Sequence, residues 1–189
     1  MSSEMIRVVQ WNMNRTTASQ LLEQIAREED ADILLLSEQL YNRNDSSWFS
    51  DDTKACAIYI RGSAQNSLTR HGKGNCHVWA TCGDTTFISC YLSPNDTVEV
   101  FTAKLASIEA TVREVSGNII VAGDFNARAI EWGMSTTNPR GRRVLEMAAR
   151  LNLVIQNTGN RATYERPGWG TSIPDITLAS EAISRRVVN

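Results

Sequence analysis

What this chain lacks narrows its class before any motif is read. No apolar run approaches the roughly 18 residues needed to cross a bilayer as a helix, so no membrane partner is expected. The N-terminus, Met1-Ser2-Ser3-Glu4, has neither the basic segment nor the apolar core of a secretion signal. An intracellular protein is the expectation. There is no Cys-x-x-Cys pair among the 4 cysteines, Cys56, Cys76, Cys82 and Cys90. Together with His71 and His77 their spacing is not that of a zinc ribbon or finger, and buried reduced thiols are expected instead. No internal repeat, low-complexity tract or linker breaks the sequence.

What is present describes a globular protein: 189 residues, 42% hydrophobic and 21% charged, long enough to bury a sizeable core as one domain spanning 1–189. The net charge of −2 does not mark a strong nucleic-acid binder, but its distribution is uneven. Residues 1–60 carry 5 basic and 10 acidic side chains, residues 61–127 carry 5 and 6, and residues 128–189 carry 9 and 5. Every basic residue of the last segment is an arginine. Guanidinium groups match phosphate oxygens in a two-pronged geometry, so this end is a local phosphate-binding face or a solvated basic surface.

Apolar periodicity predicts strands at Ile6–Trp11, Ile33–Leu36, Cys56–Ile60, His77–Cys82, Thr86–Leu92, Ile119–Ala122, Leu153–Ile155, Arg161–Tyr164 and Asp175–Ala179. Helical spacing predicts helices at Ala18–Glu29, Val98–Val115 and Gly141–Leu151. Residues 42–54 and 127–140 read as loops, and Gly83-Asp84 as a hairpin turn. The order β-α-β, a β-meander, then α-β-α-β-β predicts an α/β (α+β) protein with two sheets and helices outside them.

Residues 118–128, Asn-Ile-Ile-Val-Ala-Gly-Asp-Phe-Asn-Ala-Arg, are the most informative stretch. A buried strand runs out at Gly123, and Asp124 and Asn126 follow where chemistry collects in layered α/β proteins. Gly, Asp and Asn are also ordinary turn residues. Other strands end likewise: Asn12 and Asn14 after the first, Glu38 after the second, Tyr91 near the end of the meander, Asp175 and Thr177 at the last. Each has a bland reading as a turn former, strand-end acid or half-buried β residue. Jointly they suit phosphate-ester hydrolysis with a divalent metal. A hard cation on carboxylate oxygens offsets the phosphate charge and stabilises the leaving alkoxide. Amides and a phenol donate to phosphoryl oxygens without adding negative charge, and an acid orients or deprotonates the attacking water.

The segments Gln10-Trp11-Asn12, Leu36-Ser37-Glu38-Gln39, Tyr91-Leu92-Ser93-Pro94, Gly123-Asp124-Phe125-Asn126-Ala127 and Ser172-Ile173-Pro174-Asp175-Ile176-Thr177-Leu178 occur in this order. They resemble the motifs of the endonuclease/exonuclease/phosphatase superfamily, which includes DNase I and the apurinic/apyrimidinic endonucleases, over essentially the whole chain. Asn126-Ala127, Trp132-Gly133 and the Pro-Asp-Ile-Thr-Leu strand resemble, within it, the endonuclease domain of non-LTR retrotransposons. The resemblance implies a DNase I-like four-layer α/β/β/α sandwich. It implies a Mg2+ (or Mn2+) dependent, nuclear enzyme that nicks double-stranded DNA, leaving a 3′-hydroxyl to prime the reverse transcriptase domain of the same polyprotein. Glu38 would be the metal ligand, with Asn12 supporting the metal and phosphate site and Asn14 beside it. Asp124 would position or deprotonate the water, and Asn126 would fix that acid and contact the phosphate. Tyr91 and Ser172 would contact phosphate, and Asp175 would orient the family's catalytic histidine. Arg128, Arg140, Arg142 and Arg143 would be backbone phosphate contacts beside the site.

That histidine is the main departure. The family ends on a strand with Ser-Asp-His, which this chain does not contain, and His71 and His77 match no family position. The expectation is a domain lacking its C-terminal strand and weak or inactive as a 189-residue form. Two other readings are carried. One is a phosphodiesterase of the same superfamily acting on abasic DNA or a lipid headgroup. The other is a DNA-binding module without catalysis.

Overall fold

The alternation of side chains along each strand decides which layer it faces, and here it builds a sandwich. The computed structural model describes residues 5–15, 19–39, 43–158, 163–166 and 170–186. Its first half holds β1 (Val8–Asn12), α1 (Ser19–Glu28), β2 (Ile33–Ser37), β3 (Trp48–Ser50), β4 (Cys56–Ile60), α2 (Gly62–Asn66), β5 (Leu68–Gly74), β6 (His77–Cys82) and β7 (Thr85–Tyr91). Then come α3 (Val98–Glu114), β8 (Asn118–Asp124), a 3-10 turn (Ile130–Trp132), α4 (Pro139–Arg150), β9 (Leu153–Ile155), β10 (Tyr164–Arg166), β11 (Gly170–Ser172), β12 (Asp175–Ser180) and α5 (Glu181–Ser184). One sheet has the order β1-β2-β4-β3, the other β5-β6-β7-β8-β12-β9, and β10 and β11 form a separate hairpin. The pairs β1/β2 and β7/β8 are parallel.

On β2, Ile33 and Leu35 pack across to Phe87, Ile120 and Ala122 of the larger sheet, while Leu34 and Leu36 pack on Leu22 and Ala26 of α1. The larger sheet alternates likewise. Ile88, Val121 and Leu178 turn outward to Phe101, Leu105 and Ile108 of α3 and to Val144 and Met147 of α4. The layers are therefore α1, small sheet, large sheet, then α3 with α4, the expected α/β/β/α sandwich. Burying each such Leu, Ile or Phe contributes about 1.5–3 kcal/mol, so the three apolar layers hold the parallel strand ends rigidly together.

The predicted helices and most strands are present within two residues of their expected ends. Several features depart from expectation, among them β11, α5 and the 3-10 turn inside 127–140. Residues 42–54 are not all loop: Trp48–Ser50 pairs with β4, Trp48 opposite Tyr59 and Phe49 opposite Ile58. A three-residue strand among Asn, Asp and Ser is too short to show a period. The unassigned stretch before His77 holds α2 and β5, an edge strand whose exposed Thr-Arg-His-Gly-Lys carries no apolar alternation. Its glycines serve packing: a Cβ at Gly72 would meet the Trp79 ring at 2.7 Å, and one at Gly74 the His77 ring at 2.2 Å. The strand expected at Arg161–Tyr164 is found at Tyr164–Arg166, paired with β11; residues 161 and 162 lie outside the described ones.

Candidate active site at the open end of the inter-sheet seam

The parallel strands of both sheets run out on one rim. In the larger sheet Tyr91 pairs with Asp124, and Asp124 pairs with Asp175, so three polar side chains stand in one row. All share the parity of Ala122 and Phe87, which places them on the face toward the other sheet. From that sheet Gln10 and Asn12 share the parity of Val8, and Asn12 pairs with Ser37.

Hydrogen bonds join the two rows. Asn12 Nδ2 donates to Asp124 Oδ2 at 3.0 Å, and the Asn126 backbone N–H donates to Asp124 Oδ1 at 3.0 Å. Gln10 Nε2 donates to Asp175 Oδ1 at 3.1 Å, while its Oε1 accepts from Thr177 Oγ1 at 3.0 Å. Ser37 Oγ donates to the Cys90 carbonyl at 3.2 Å and accepts from the Asp124 N–H at 3.3 Å. Asn12 Oδ1 accepts from the Asn14 N–H at 2.8 Å. The Glu38 carboxylate stands beside the Tyr91 phenol. Asn126 uses its side chain on the Leu92 carbonyl, at 3.0 Å. Thus its N–H holds the acid, while its side-chain amide spans to the turn after Tyr91.

The backbone at the rim is held in sparsely populated conformations. Asn14 (φ 45°), Glu38 (φ 50°) and Asn126 (φ 47°) all lie in the left-handed region. Asn enters it readily, Glu does not, and such strain collects where a side chain must be aimed. Gly123 is required by contact: a Cβ there would sit 2.0 Å from the Cys90 carbonyl oxygen. Its absence lets β8 lie tightly against β7 one residue before Asp124.

The electrostatics are those of crowded acids. Asp124 is 3% exposed. Burial, then the neighbouring Asp175, push its carboxyl up to about 7, although the Asn126 N–H opposes this. Asp175 is raised too, by burial, against hydrogen bonds from Thr163 and Gln10. Burial and the Glu38 carboxylate push the Tyr91 phenol up to about 12. Among the described residues, none of the ion pairs involves Glu38, Asp124 or Asp175. Uncompensated carboxylates of this kind fit a cation. Nowhere among the described residues do three His, Cys, Asp or Glu side chains gather around one point. Glu38 and Asn12 are the residues that could offer oxygens to a hard cation here.

The remaining expected residues have varied surroundings. Arg140 is not a free phosphate contact: its guanidinium is spent on backbone carbonyls, including Ser93 O at 2.9 Å. Arg143 bonds Thr102 Oγ1 at 3.1 Å and the Pro139 carbonyl at 3.3 Å, bridging α4 to α3. Arg128 and Arg142 are exposed. The backbone of Ser172 ends β11, and its side chain lies outside the described residues. Neither histidine is at the rim: His71 stacks on Phe49 at 4.4 Å, and His77 Nε2 meets Thr111 Oγ1 at 2.8 Å. All 4 cysteines are free and buried. Gln10 and Ser37 join the site although the motifs around them point to other residues. The signal in the sequence is parity, since Gln10 stands two residues before Asn12 on one face of one strand.

Known proteins resemble this chain in sequence and in fold. The sequence model of the endonuclease-reverse transcriptase family matches residues 85–189, more than half of the chain. A probable RNA-directed DNA polymerase from transposon BS of Drosophila melanogaster is 24% identical over 180 residues. That match covers 84% of this chain but only 19% of the relative's length. The solved endonuclease domain of TRAS1, a telomere-specific non-LTR retrotransposon, superposes with a TM-score of 0.74 at 22% identity, covering 94% of this chain and 86% of that one. An AP endonuclease from Archaeoglobus fulgidus has a TM-score of 0.74 at 16% identity, with 98% and 90% covered. A 3′ phosphatase from Neisseria, bound to a product DNA hairpin, has a TM-score of 0.73 at 14% identity, with 96% and 89% covered. At these identities the structural likeness is one of fold. With the family match across β7, β8 and β12, the strands that carry Tyr91, Asp124 and Asp175, it follows that this chain belongs to the endonuclease-reverse transcriptase family and has the DNase I-like α/β/β/α fold.

Proposed function

We propose that this chain is a divalent-cation-dependent DNA endonuclease domain. In this reading it nicks one strand of a chromosomal, hence nuclear, duplex and leaves a 3′-hydroxyl that primes a reverse transcriptase of the same polyprotein. The observation that carries the reading is Asp124. It is a buried carboxyl raised to about 7, gripped on both oxygens, at the open end of a seam. A base is most effective when its pKa lies near the working pH.

The residues divide the work as follows. Asn12 Nδ2 and the Asn126 N–H fix the plane of the Asp124 carboxylate. That carboxylate orients a water and takes its proton as the water oxygen bonds to phosphorus. The bond from phosphorus to the 3′ oxygen breaks, that oxygen takes a proton from solvent water to become the 3′-hydroxyl, and Asp124 returns its proton to solvent. Tyr91 stays a phenol at every working pH, with its pKa near 12, and so remains a donor to a non-bridging phosphoryl oxygen. Gln10 holds Asp175 across the seam. Glu38, with Asn12, would hold Mg2+ or Mn2+, which offsets phosphate charge and stabilises the leaving alkoxide. His71 and His77 take no part, since one stacks on Phe49 and the other meets Thr111.

The test is a 5′-labelled duplex incubated with Mg2+, with and without a central abasic site, beside an Asp124→Ala control. Internal nicks in the intact duplex that a polymerase can extend support the reading. Cleavage confined to the abasic duplex would replace it with repair-type activity. Binding without cleavage would replace it with a DNA-binding module.

A further inference from the structure

Arg140 is drawn inward, and what it holds is informative. Nη1 donates to the carbonyls of Ser93 at 2.9 Å and Asn126 at 3.5 Å, and Nη2 donates to those of Pro94 at 3.1 Å and Asp96. Its guanidinium carbon lies 4.8 Å from the Phe101 ring centroid. Four carbonyl oxygens converging on one point would repel one another, and a planar cation with five donors is the side chain that satisfies them together. The flanking residues reinforce the grip. Asn138 Oδ1 accepts from the Gly141 N–H at 2.8 Å and the Arg128 N–H at 3.1 Å, and the Asn138 N–H donates to the Arg128 carbonyl at 2.9 Å. A Cβ on Gly141 would sit 1.9 Å from the Arg128 carbonyl oxygen, so only glycine lets α4 begin this close to the segment after Asn126. Lys104 pairs with Asp96 at 2.8 Å and braces the same turn from α3.

We propose that Asn138-Pro139-Arg140-Gly141 is a positioning clamp with Arg140 at its centre. It fixes the turn after Tyr91 against the turn after Asp124, and so sets where the phenol stands relative to the carboxylate and Asn126. This role builds on the phosphodiesterase reading. Arg140 contacts no substrate in it; it acts through Ser93 and Asn126. Lysine at this position keeps the charge but is a point donor that cannot span carbonyls from two turns.

Arg140→Lys and Arg140→Gln test this in the full chain by three readouts: nicking kinetics, salt dependence of duplex affinity, and amide exchange. A clamp lowers kcat by roughly 10–100-fold in both variants, the cost of misplacing reacting groups by about 1 Å. It leaves KM and the salt slope unchanged. Amide exchange speeds up in residues 92–96 and 126–128 while β5 and β6 keep their protection. A flatter salt slope with unchanged exchange in the two turns would make Arg140 a phosphate contact and overturn the clamp. Loss of protection throughout the molecule would reduce it to a stabilising residue and overturn it equally. If the wild-type chain does not nick at all, the endonuclease reading fails by itself, and the exchange pattern still decides whether the clamp exists.

Discussion

Asp124 is a carboxyl kept from water with two acids nearby, and these outweigh the Asn126 donor that opposes them. Its proton is therefore held more tightly in the folded protein than in the unfolded chain, about 7 against an ordinary 3.8. Stability contributed by a raised carboxyl is full below the lower value and is lost as pH climbs through the higher one. Asp124→Asn removes that loss, which amounts to about 1.4 kcal/mol for each tenfold difference in proton affinity between the folded and unfolded chain. In cation-free buffer, urea denaturation should show the variant gaining on the wild type as pH rises from about 4 to 8. A gap that stays constant over that window would remove the charge crowding from the account. Tyr91→Phe keeps the ring and deletes the donor, so kcat should fall about 10²–10³-fold, the usual effect of losing one transition-state hydrogen bond. An unchanged kcat would remove the phenol from the chemistry. At this scale the acids were legible in the sequence because strand-end carboxylates are conspicuous. Gln10 was not legible as a site residue, because the partner that gives it meaning, Asp175, lies 165 positions away.

At the scale of elements, the site is made by register. Cys90 stands opposite Gly123, and Tyr91 opposite Asp124, because β7 and β8 are parallel; Asp175 falls in the same row because β12 runs antiparallel. Ser37 then ties the sheets together, donating to the Cys90 carbonyl and accepting from the Asp124 N–H. Ser37→Ala leaves a buried N–H without that acceptor, which costs about 1–3 kcal/mol. Chemical denaturation should register that loss, and the Asp124 amide should exchange faster; an unchanged stability would mean that the sheets are joined by packing alone. Long apolar strands and the periodic helices were legible, since each buries one face. The short strand Trp48–Ser50 and the exposed strand Leu68–Gly74 were not, because an edge strand is held by backbone pairing that leaves little mark in hydrophobicity.

Across the whole molecule, the arginine-rich end divides into two populations. Arg140 clamps, Arg143 bridges α4 to α3, Arg150 pairs with Glu109 at 2.8 Å and Arg185 with Glu181 at 2.7 Å. Arg128, two residues past Asn126, is exposed beside the site. Composition alone could not separate these fates, because an arginine spent on carbonyls and one facing a phosphate look alike in a sequence. The four-layer architecture, by contrast, was legible from the order of elements and the resemblance together. Arg128→Ala should reduce the salt slope of duplex binding by about one, whereas Arg150→Ala should leave it unchanged. Equal slopes for both variants would move the DNA path away from the 124–130 segment.

The proposed function has Asp124 and Glu38 cleave a phosphodiester. Supercoiled plasmid incubated with the 189-residue chain and Mg2+ tests it most directly, beside Asp124→Asn, Glu38→Gln and an EDTA control. Conversion to open circles that ligase can reseal is expected, abolished by EDTA and by either substitution. Relaxation that persists in Asp124→Asn, or none in the wild type under conditions where it binds the plasmid, would contradict it.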